Sequence, residues 1–268
     1  MNIMKKNIWI PIVQGVIVTA MFLATEIILQ KLGAFNGPIR LYAVDVPLRF
    51  LFGFIALFLI HQCFERERSE YKLGEYFTNK IPRVIWLYLI PFVAYLFTKL
   101  LFILFANQTV TSSAGIFALN SLQQVGSGFF EEACRVLIMC GLLKYCSDTK
   151  EGRIITILVA GVIFGLSHGL NFFFGQDVSS TLWQVGSCFI WGTFMAAIFM
   201  ISRSITLLMI LHAVWDIIIR IPNAFFGFPD ECLGLTVLDI GGYAVSYLAM
   251  LAVAIYIAIN YDNYVLKD

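Results

Sequence analysis

The sequence predicts an all-α protein, a polytopic bundle of helices that crosses a membrane about eight times. Of its 268 residues, 60% are hydrophobic and only 13% are charged, and the mean hydropathy is +0.84. A water-soluble surface needs more charge than this composition supplies. Apolar runs of about 18 residues or more recur, each long enough to cross a hydrocarbon core of about 30 Å. Because these runs are continuous, without the alternation of a membrane barrel, they predict helices.

Eight apolar segments are predicted to form the spans. The first follows a basic start that resembles a signal peptide, but the apolar run continues without a small-residue cleavage site, so an uncleaved span is expected. No repeat or low-complexity linker divides the chain, and residues 1–268 are expected to form one membrane domain. The segments are Ile8–Leu29, Tyr42–Gln62, Val84–Ala106, Ile116–Tyr145, Ile154–Phe173, Leu182–Ile201, Ile205–Ile221 and Leu238–Ile259.

Basic residues concentrate on one side of this eight-span topology. The opposite loops carry fewer, although Lys31, Arg40 and Arg49 reduce the contrast. Because short cytoplasmic loops are enriched in lysine and arginine, both termini are expected to be cytoplasmic. The net charge of +1 and the lack of a basic stripe make nucleic acid an unexpected partner. The basic residues on the enriched side are Lys5, Lys6, Arg66, Arg68, Lys72, Lys80, Arg83, Lys150, Arg153, Arg203 and Lys267.

Three of the predicted spans carry ionisable side chains, which are costly in hydrocarbon unless they are paired, hydrated or bound to metal. Each such residue is therefore a functional-site candidate by default. The candidates are Glu131, Glu132 and Arg135 in the fourth span, His168 in the fifth, and His212 and Asp216 in the seventh.

The spacing of these residues allows one shared cavity. At about 1.5 Å per helical residue, Glu131 and His168 each lie roughly 22 Å from the cytoplasmic ends of their helices. By the same count, His212 and Asp216 lie at roughly 12 to 18 Å, and their separation of four residues places them on one face. Glu131 and Arg135 are also four apart, so the arginine is expected to neutralise that carboxylate.

Two imidazoles and several carboxylates suit a zinc-like ion, and a spare carboxylate can take a proton from water. A site of this composition can hydrolyse an amide. The structural alternatives are an ion pair within the fourth helix, histidines that only pack, and an Asp216 that only forms a pair or a cap.

The three motifs, in this order, resemble those of the CAAX protease and bacteriocin-processing family, also called the Abi family, of intramembrane metalloproteases. The likeness covers about Gly126 to Ile219, and the family-like core covers about 116–221. Its motifs are a glutamate pair followed by an arginine, Phe-x-x-x-His, and His-x-x-x-Asn/Asp. They are matched by Glu131, Glu132 and Arg135, by Phe164 and His168, and by His212 and Asp216.

This resemblance implies roles for the matched residues. Glu131 and His168 would activate the attacking water, and Arg135 would hold the second carboxylate, Glu132. His212 and Asp216 would bind metal or stabilise the oxyanion. It also implies a divalent metal, zinc foremost, with His168, His212, Glu131 and Asp216 as the candidate ligands. The substrate would be a peptide or protein at the bilayer, either prenylated or of the leader type, in a bacterial plasma membrane.

The first motif departs from the family spacing, because two residues rather than three separate the glutamate pair from the arginine. If the arginine anchors the alignment, Phe130 takes the position of the first glutamate and Glu131 that of the second. A local helix bulge, eased by Gly126 and Gly128, would instead keep Glu131 as the base.

The shortened motif motivates an alternative function, a non-catalytic membrane scaffold or a bacteriocin immunity or regulatory protein of the same family. A transporter is less favoured, because the sequence shows neither inverted repeats nor paired broken helices.

Overall fold

The structure, a computed structural model, describes residues 9–67, 73–105, 109–146, 149–226 and 237–265, and all regular elements in these ranges are helices. A 3-10 segment, Gly169–Phe174, joins the helix Lys150–His168 to the helix Val178–Ser202. Five of the basic residues used above to predict orientation, Lys5, Lys6, Arg68, Lys72 and Lys267, lie outside the described ranges. The helices are α1 (Trp9–Lys31), α2 (Pro38–Glu67), α3 (Glu75–Thr78), α4 (Val84–Tyr88), α5 (Ile90–Phe105), α6 (Ala114–Cys146), α7 (Lys150–His168), α8 (Val178–Ser202), α9 (Ile205–Phe226), α10 (Val237–Ile259) and α11 (Asp262–Val265).

The all-α polytopic prediction is confirmed, and the predicted count of eight spans is close. Within the described residues, six helices are long and apolar enough to cross a membrane: α1, α2, α7 with its 3-10 extension, α8, α9 and α10. The helix α5 is apolar but only 16 residues long, because the predicted third span breaks at Leu89, just before Pro91. The helix α6 has 33 residues and carries the charged first motif.

The helix α6 lies at the centre of the bundle and packs against α1, α2, α7 and α9. The helix α8 packs against α7 and α10, and its second half, from Trp191 to Ser202, is buried throughout. The core is rich in aromatic rings, and Tyr95, Trp215 and Trp191 stack in series, with centroids 4.3 and 4.4 Å apart.

Two glycines allow the motif-bearing helices α6 and α7 to lie close to their neighbours α9 and α8. A Cβ atom added to Gly128 of α6 would lie 2.9 Å from the Met209 carbonyl of α9. A Cβ atom on Gly165 of α7 would lie 2.7 Å from the Val185 carbonyl of α8. Small residues allow helix backbones to approach closely in a membrane. The bare Cα atom of Gly128 therefore lets α9 approach α6 three residues before the glutamate pair.

Candidate active site

Both histidines of the second and third motifs face Glu131. The Nε2 atom of His168 lies 3.9 Å from Oε2 of Glu131, and the Nε2 atom of His212 lies 3.7 Å from the same oxygen. Asp216 approaches His212 from the next turn of α9, with Oδ2 3.5 Å from Nε2. The structure thus brings together side chains from α6, α7 and α9 that are up to 85 residues apart in the chain, counting 216 − 131.

Glu132 forms a second, fully buried set of contacts. Its Oε1 atom accepts a hydrogen bond of 2.6 Å from Nδ1 of His212 and lies 3.2 Å from Nη2 of Arg135. The arginine is also buried, and its Nη1 atom donates to the Gly192 carbonyl at 3.4 Å. Helical spacing had suggested Glu131, four residues before Arg135, as the partner in the ion pair, whereas the family resemblance implied Glu132. The partner in the structure is Glu132, three residues before Arg135, and Glu131 is turned towards the histidines.

The partners of the Nδ1 atoms select one tautomer for each neutral histidine. Nδ1 of His168 lies 2.9 Å from the Phe164 carbonyl, which can only accept, so Nδ1 carries the proton. Nδ1 of His212 donates to the Glu132 carboxylate by the same reasoning. The neutral rings then present an Nε2 lone pair to Glu131, as in histidines whose second nitrogen is oriented for metal binding or proton transfer.

The chemistry of these atoms fits a cation. Oε2 of Glu131 is buried and has no hydrogen-bond partner among the described residues, although the Nε2 atoms of both histidines lie within 4 Å of it. A further acceptor, Oδ2 of Asp216, lies beside Nε2 of His212. Ligands on a tetrahedral zinc ion with bonds of about 2.0 Å are about 3.3 Å apart, slightly closer than the 3.5 to 3.9 Å observed here. As the side chains stand, no group of three or more His, Cys, Asp or Glu residues in the described ranges is arranged to hold a metal ion.

The backbone of α6 bears on the two alignments of the first motif. The residues around Glu131 are α-helical without interruption, so the carboxylate faces the histidines without the bulge that one of the two alignments invoked. Phe130 is buried and packs on Phe22 of α1, with ring centroids 4.4 Å apart. Gly128, which was expected to ease a bulge, instead permits the close approach of α9.

The helix α8 contributes an aromatic ring to the site without carrying any of its charges, and no charged residue in its sequence pointed to this. Trp191 packs edge-on against His212, with ring centroids 6.1 Å apart. From α7, the ring of Phe164 lies against the guanidinium group of Arg135, with the ring centroid 3.9 Å from Cζ. The two rings thus pack on the two residues that contact Glu132.

A second charged cluster joins α1, α2 and α6. Arg49 donates to Asp45 at 2.6 Å and to Glu26 at 3.0 Å, and Gln123 donates to Asp45 at 2.6 Å. These bonds link the three helices through one charged cluster. In the described residues, Asp45 is almost fully buried, and its Oδ1 atom has no hydrogen-bond partner.

A family model described as "Type II CAAX prenyl endopeptidase Rce1-like" matches residues 75–218, more than half of the chain. The match includes all six candidate site residues. No curated protein and no solved structure gave a significant match.

Proposed function

The chain belongs to the Rce1-like family of type II CAAX prenyl endopeptidases, and on that premise we propose that it is a membrane-embedded endopeptidase that cleaves a peptide at the bilayer. The observation that carries this proposal is the convergence of two imidazole Nε2 atoms on the buried Oε2 atom of Glu131, which has no hydrogen-bond partner in the described part of the chain. An ionisable side chain in hydrocarbon is costly, so its presence inside a membrane span marks a functional site by default.

In the proposed reaction, water attacks the carbonyl carbon of the scissile amide. Its proton passes to the Glu131 carboxylate and then to the leaving nitrogen, so that an acid and an amine are released. His168 orients the water through Nε2, because its Nδ1 proton is held by the Phe164 carbonyl. Glu132 holds His212 in the tautomer whose Nε2 atom faces the reacting centre.

We propose in addition that the endopeptidase activity depends on a bound metal ion. His168, His212, Glu131 and Asp216 would hold a divalent ion, zinc foremost, through nitrogen and carboxylate oxygen. Such an ion, when bound, polarises a carbonyl and makes bound water acidic. Arg135 stabilises the Glu132 carboxylate, which in turn orients His212 as a ligand.

Metal content of the purified protein tests this without a known substrate. We expect stoichiometric divalent metal in the wild type and its loss in His168→Ala and in His212→Ala. His61→Ala is the matched control, because His61 is the third histidine of the chain and lies on α2, away from the three motifs. Equal metal content in all four proteins would contradict the assigned ligands, and a metal-free wild type that still cleaves peptides would contradict metal dependence.

The proposed substrate is a prenylated peptide, following the description of the family. A peptide whose C-terminal cysteine motif carries a prenyl group is the direct probe, with a leader-type peptide as the comparison. Cleavage of the prenylated peptide by the wild type, and its loss in Glu131→Gln, is the expected result.

The second candidate, a non-catalytic scaffold, is favoured by the shortened first motif. It predicts that the wild type neither binds metal nor cleaves either peptide. It also predicts that Glu131→Gln leaves unchanged the binding of a membrane partner.

A further inference from the structure

The charged cluster of Glu26, Asp45, Arg49 and Gln123 contains two carboxyl groups for one guanidinium group. Arg49 donates from Nη2 to Oε1 of Glu26 at 3.0 Å and from Nε to Oδ2 of Asp45 at 2.6 Å. Because both nitrogens belong to one planar group, the two carboxyl groups are drawn together beside it. They lie within hydrogen-bonding reach of each other. If both were ionised, the cluster would carry one uncompensated negative charge.

That negative charge would lie inside the helical bundle. The side chain of Asp45 is only 1% exposed and that of Glu26 is 13% exposed. The two residues belong to α2 and α1, which are both long and apolar enough to span a membrane. An uncompensated charge is costly there, and two carboxyl groups that share one site resist losing both protons. The cluster therefore favours the retention of one proton.

The hydrogen bonds of Asp45 leave one of its oxygen atoms available to accept that proton. Oδ2 accepts from Arg49 and from Nε2 of Gln123, at 2.6 Å in each case. Oδ1 is buried and has no hydrogen-bond partner in the described part of the chain. An ionised carboxylate can only accept, so two carboxyl groups form a hydrogen bond only when one of them is protonated. A proton shared with Glu26 would give Oδ1 its partner and make the cluster neutral.

The cluster joins α1 to α2 close to the candidate active site. Glu26 belongs to α1 and its partner Arg49 to α2. One turn before Glu26, the ring of Phe22 lies 5.1 Å from Cζ of Arg49 and 4.4 Å from the ring of Phe130 on α6. Phe130 directly precedes Glu131. The position of α1 at this level therefore affects the surroundings of Glu131.

We propose that Glu26 and Asp45 share one exchangeable proton, which holds α1 against α2 until a rise in pH at that end of the bundle removes it. The released proton combines with hydroxide to form water, and two carboxylates remain beside one guanidinium group. Their repulsion then loosens the part of α1 around Phe22. This inference goes beyond the proposed function, and its test needs no substrate.

The surrounding charges do not replace the proton once it has left. The charged groups that act on Glu26 are Asp45 and Arg49 of α2 and Glu131 of α6. Of these, only Arg49 is positive, and it already contacts both carboxyl groups of the cluster. Release of the proton therefore leaves a negative charge that must be hydrated, which favours separation of α1 from α2.

Infrared spectroscopy of the full-length protein in vesicles detects the shared proton, because a protonated carboxyl group has a carbonyl stretch that an ionised carboxylate lacks. We expect one equivalent of this absorption to disappear from the wild type as the pH rises. It should be missing at every pH from Glu26→Gln and from Asp45→Asn. Glu151→Gln is the matched control and should keep it, because Glu151 is exposed in the first turn of α7. Absence of this absorption from the wild type, or its full retention in either cluster variant, would overturn the proposal.

Thermal unfolding over a pH series measures the contribution of the proton to stability. A proton bound in the folded state contributes stability that is present at low pH and is lost as the pH rises and the proton leaves. Relative to Glu26→Gln, whose neutral amide keeps the uncharged form, the Tm of the wild type should fall by at least about 2 °C over the range in which the absorption disappears. Asp45→Asn is the second neutral variant for this comparison. An equal dependence on pH in the wild type and both variants would contradict the proposal.

Thiol labelling of Cys134 tests whether α1 is the helix that moves. Cys134 is a buried free cysteine of α6, and its carbonyl lies 3.3 Å from a Cβ atom added to Gly15 of α1. Thiol reactivity itself rises with pH, so the wild type is compared with Glu26→Gln at each pH by mass spectrometry of the labelled peptide. We expect equal rates where the proton is bound and faster labelling of the wild type where it has left. Equal rates at every pH would refute the loosening of α1.

Discussion

Adjacent glutamates on α6 have different surroundings, and the two roles proposed for them follow from this difference. Oε2 of Glu131 faces the Nε2 atoms of both histidines, whereas Oε1 of Glu132 lies against Arg135 and Nδ1 of His212. The side chain of Glu131 is 22% exposed, whereas Glu132 is fully buried. A carboxylate that water can reach can exchange protons, so we propose Glu131 as the base and Glu132 as the residue that orients His212.

We expect Glu131→Gln to lower kcat by about 10²- to 10⁴-fold, the range for loss of a general base, with little change in stability. Phe130→Leu is the control for the alternative alignment, because Phe130 packs in the core beside Phe22. Peptidase assays in vesicles measure both. An activity loss in Phe130→Leu as large as that in Glu131→Gln would count against Glu131 as the base.

The pair formed by Arg135 and Glu132 is buried in a low-dielectric interior. We expect Arg135→Met to destabilise the protein by about 3 to 5 kcal/mol, because it leaves a buried carboxylate without its charge partner. The double variant Arg135→Met with Glu132→Gln should regain much of that stability, since no uncompensated charge remains. Thermal unfolding in detergent measures the difference, and equal loss in the single and double variants would refute the pairing.

At the scale of the helix, Gly128 determines how closely α9 approaches α6. In Gly128→Ala, the new Cβ atom would lie 2.9 Å from the Met209 carbonyl and 3.0 Å from the Ala213 amide nitrogen, both backbone atoms that cannot move independently. We expect α9 to shift and His212 with it, lowering kcat/KM by about tenfold or more. Gly186→Ala is the control, because no neighbouring atom of the described residues lies within 4 Å of the added Cβ atom. Equal activity of the two variants would contradict this role.

The helix α8 begins at a capping aspartate that lies just outside the predicted membrane segment. The Ser179 hydroxyl and the Ser180 amide donate to Asp177 at 2.6 and 3.0 Å, and these bonds hold its pKa below the usual range. A carboxyl group with a lowered pKa in the folded state contributes stability above its unfolded pKa, about 3.9, and loses it as the pH falls through the folded value.

We therefore expect Asp177→Ala to be less stable than the wild type at neutral pH. The difference should shrink as the pH falls below about 4, because the unfolded wild type then takes up a proton that the folded cap, with its lowered pKa, does not bind. Thermal unfolding over a pH series measures this. A difference that stays constant down to the lowest pH would show that the aspartate charge does not contribute.

At the scale of the whole molecule, the bundle has α6 at its centre, with α7 and α9, which carry the other two motifs, packed against it. The C-terminal end is tied to this bundle, because Arg153 of α7 donates to Asp262 of α11 at 2.8 Å and to the Ala258 carbonyl of α10 at 3.0 Å. An even number of crossings places both chain ends on the same side, and the distribution of basic residues predicts the cytoplasmic side.

Reporter fusions at each end measure that orientation. We expect both fusions to be active only with a cytoplasmic reporter. Opposite results at the two ends would require an odd number of crossings, and the first helix to reconsider is then α5, which has only 16 residues.

The sequence by itself determined the membrane class and the helical fold, and it singled out six polar residues as candidates for the site. Long apolar runs can only be helical in lipid, and ionisable residues within them stand out against that background. The partner of Arg135 in the ion pair was decided by the tertiary structure, because helical spacing allows Arg135 to pair with either Glu131 or Glu132. The contacts of Trp191 and Gly128 were also decided by it, since a buried ring and a close helix contact leave no charge pattern in a sequence.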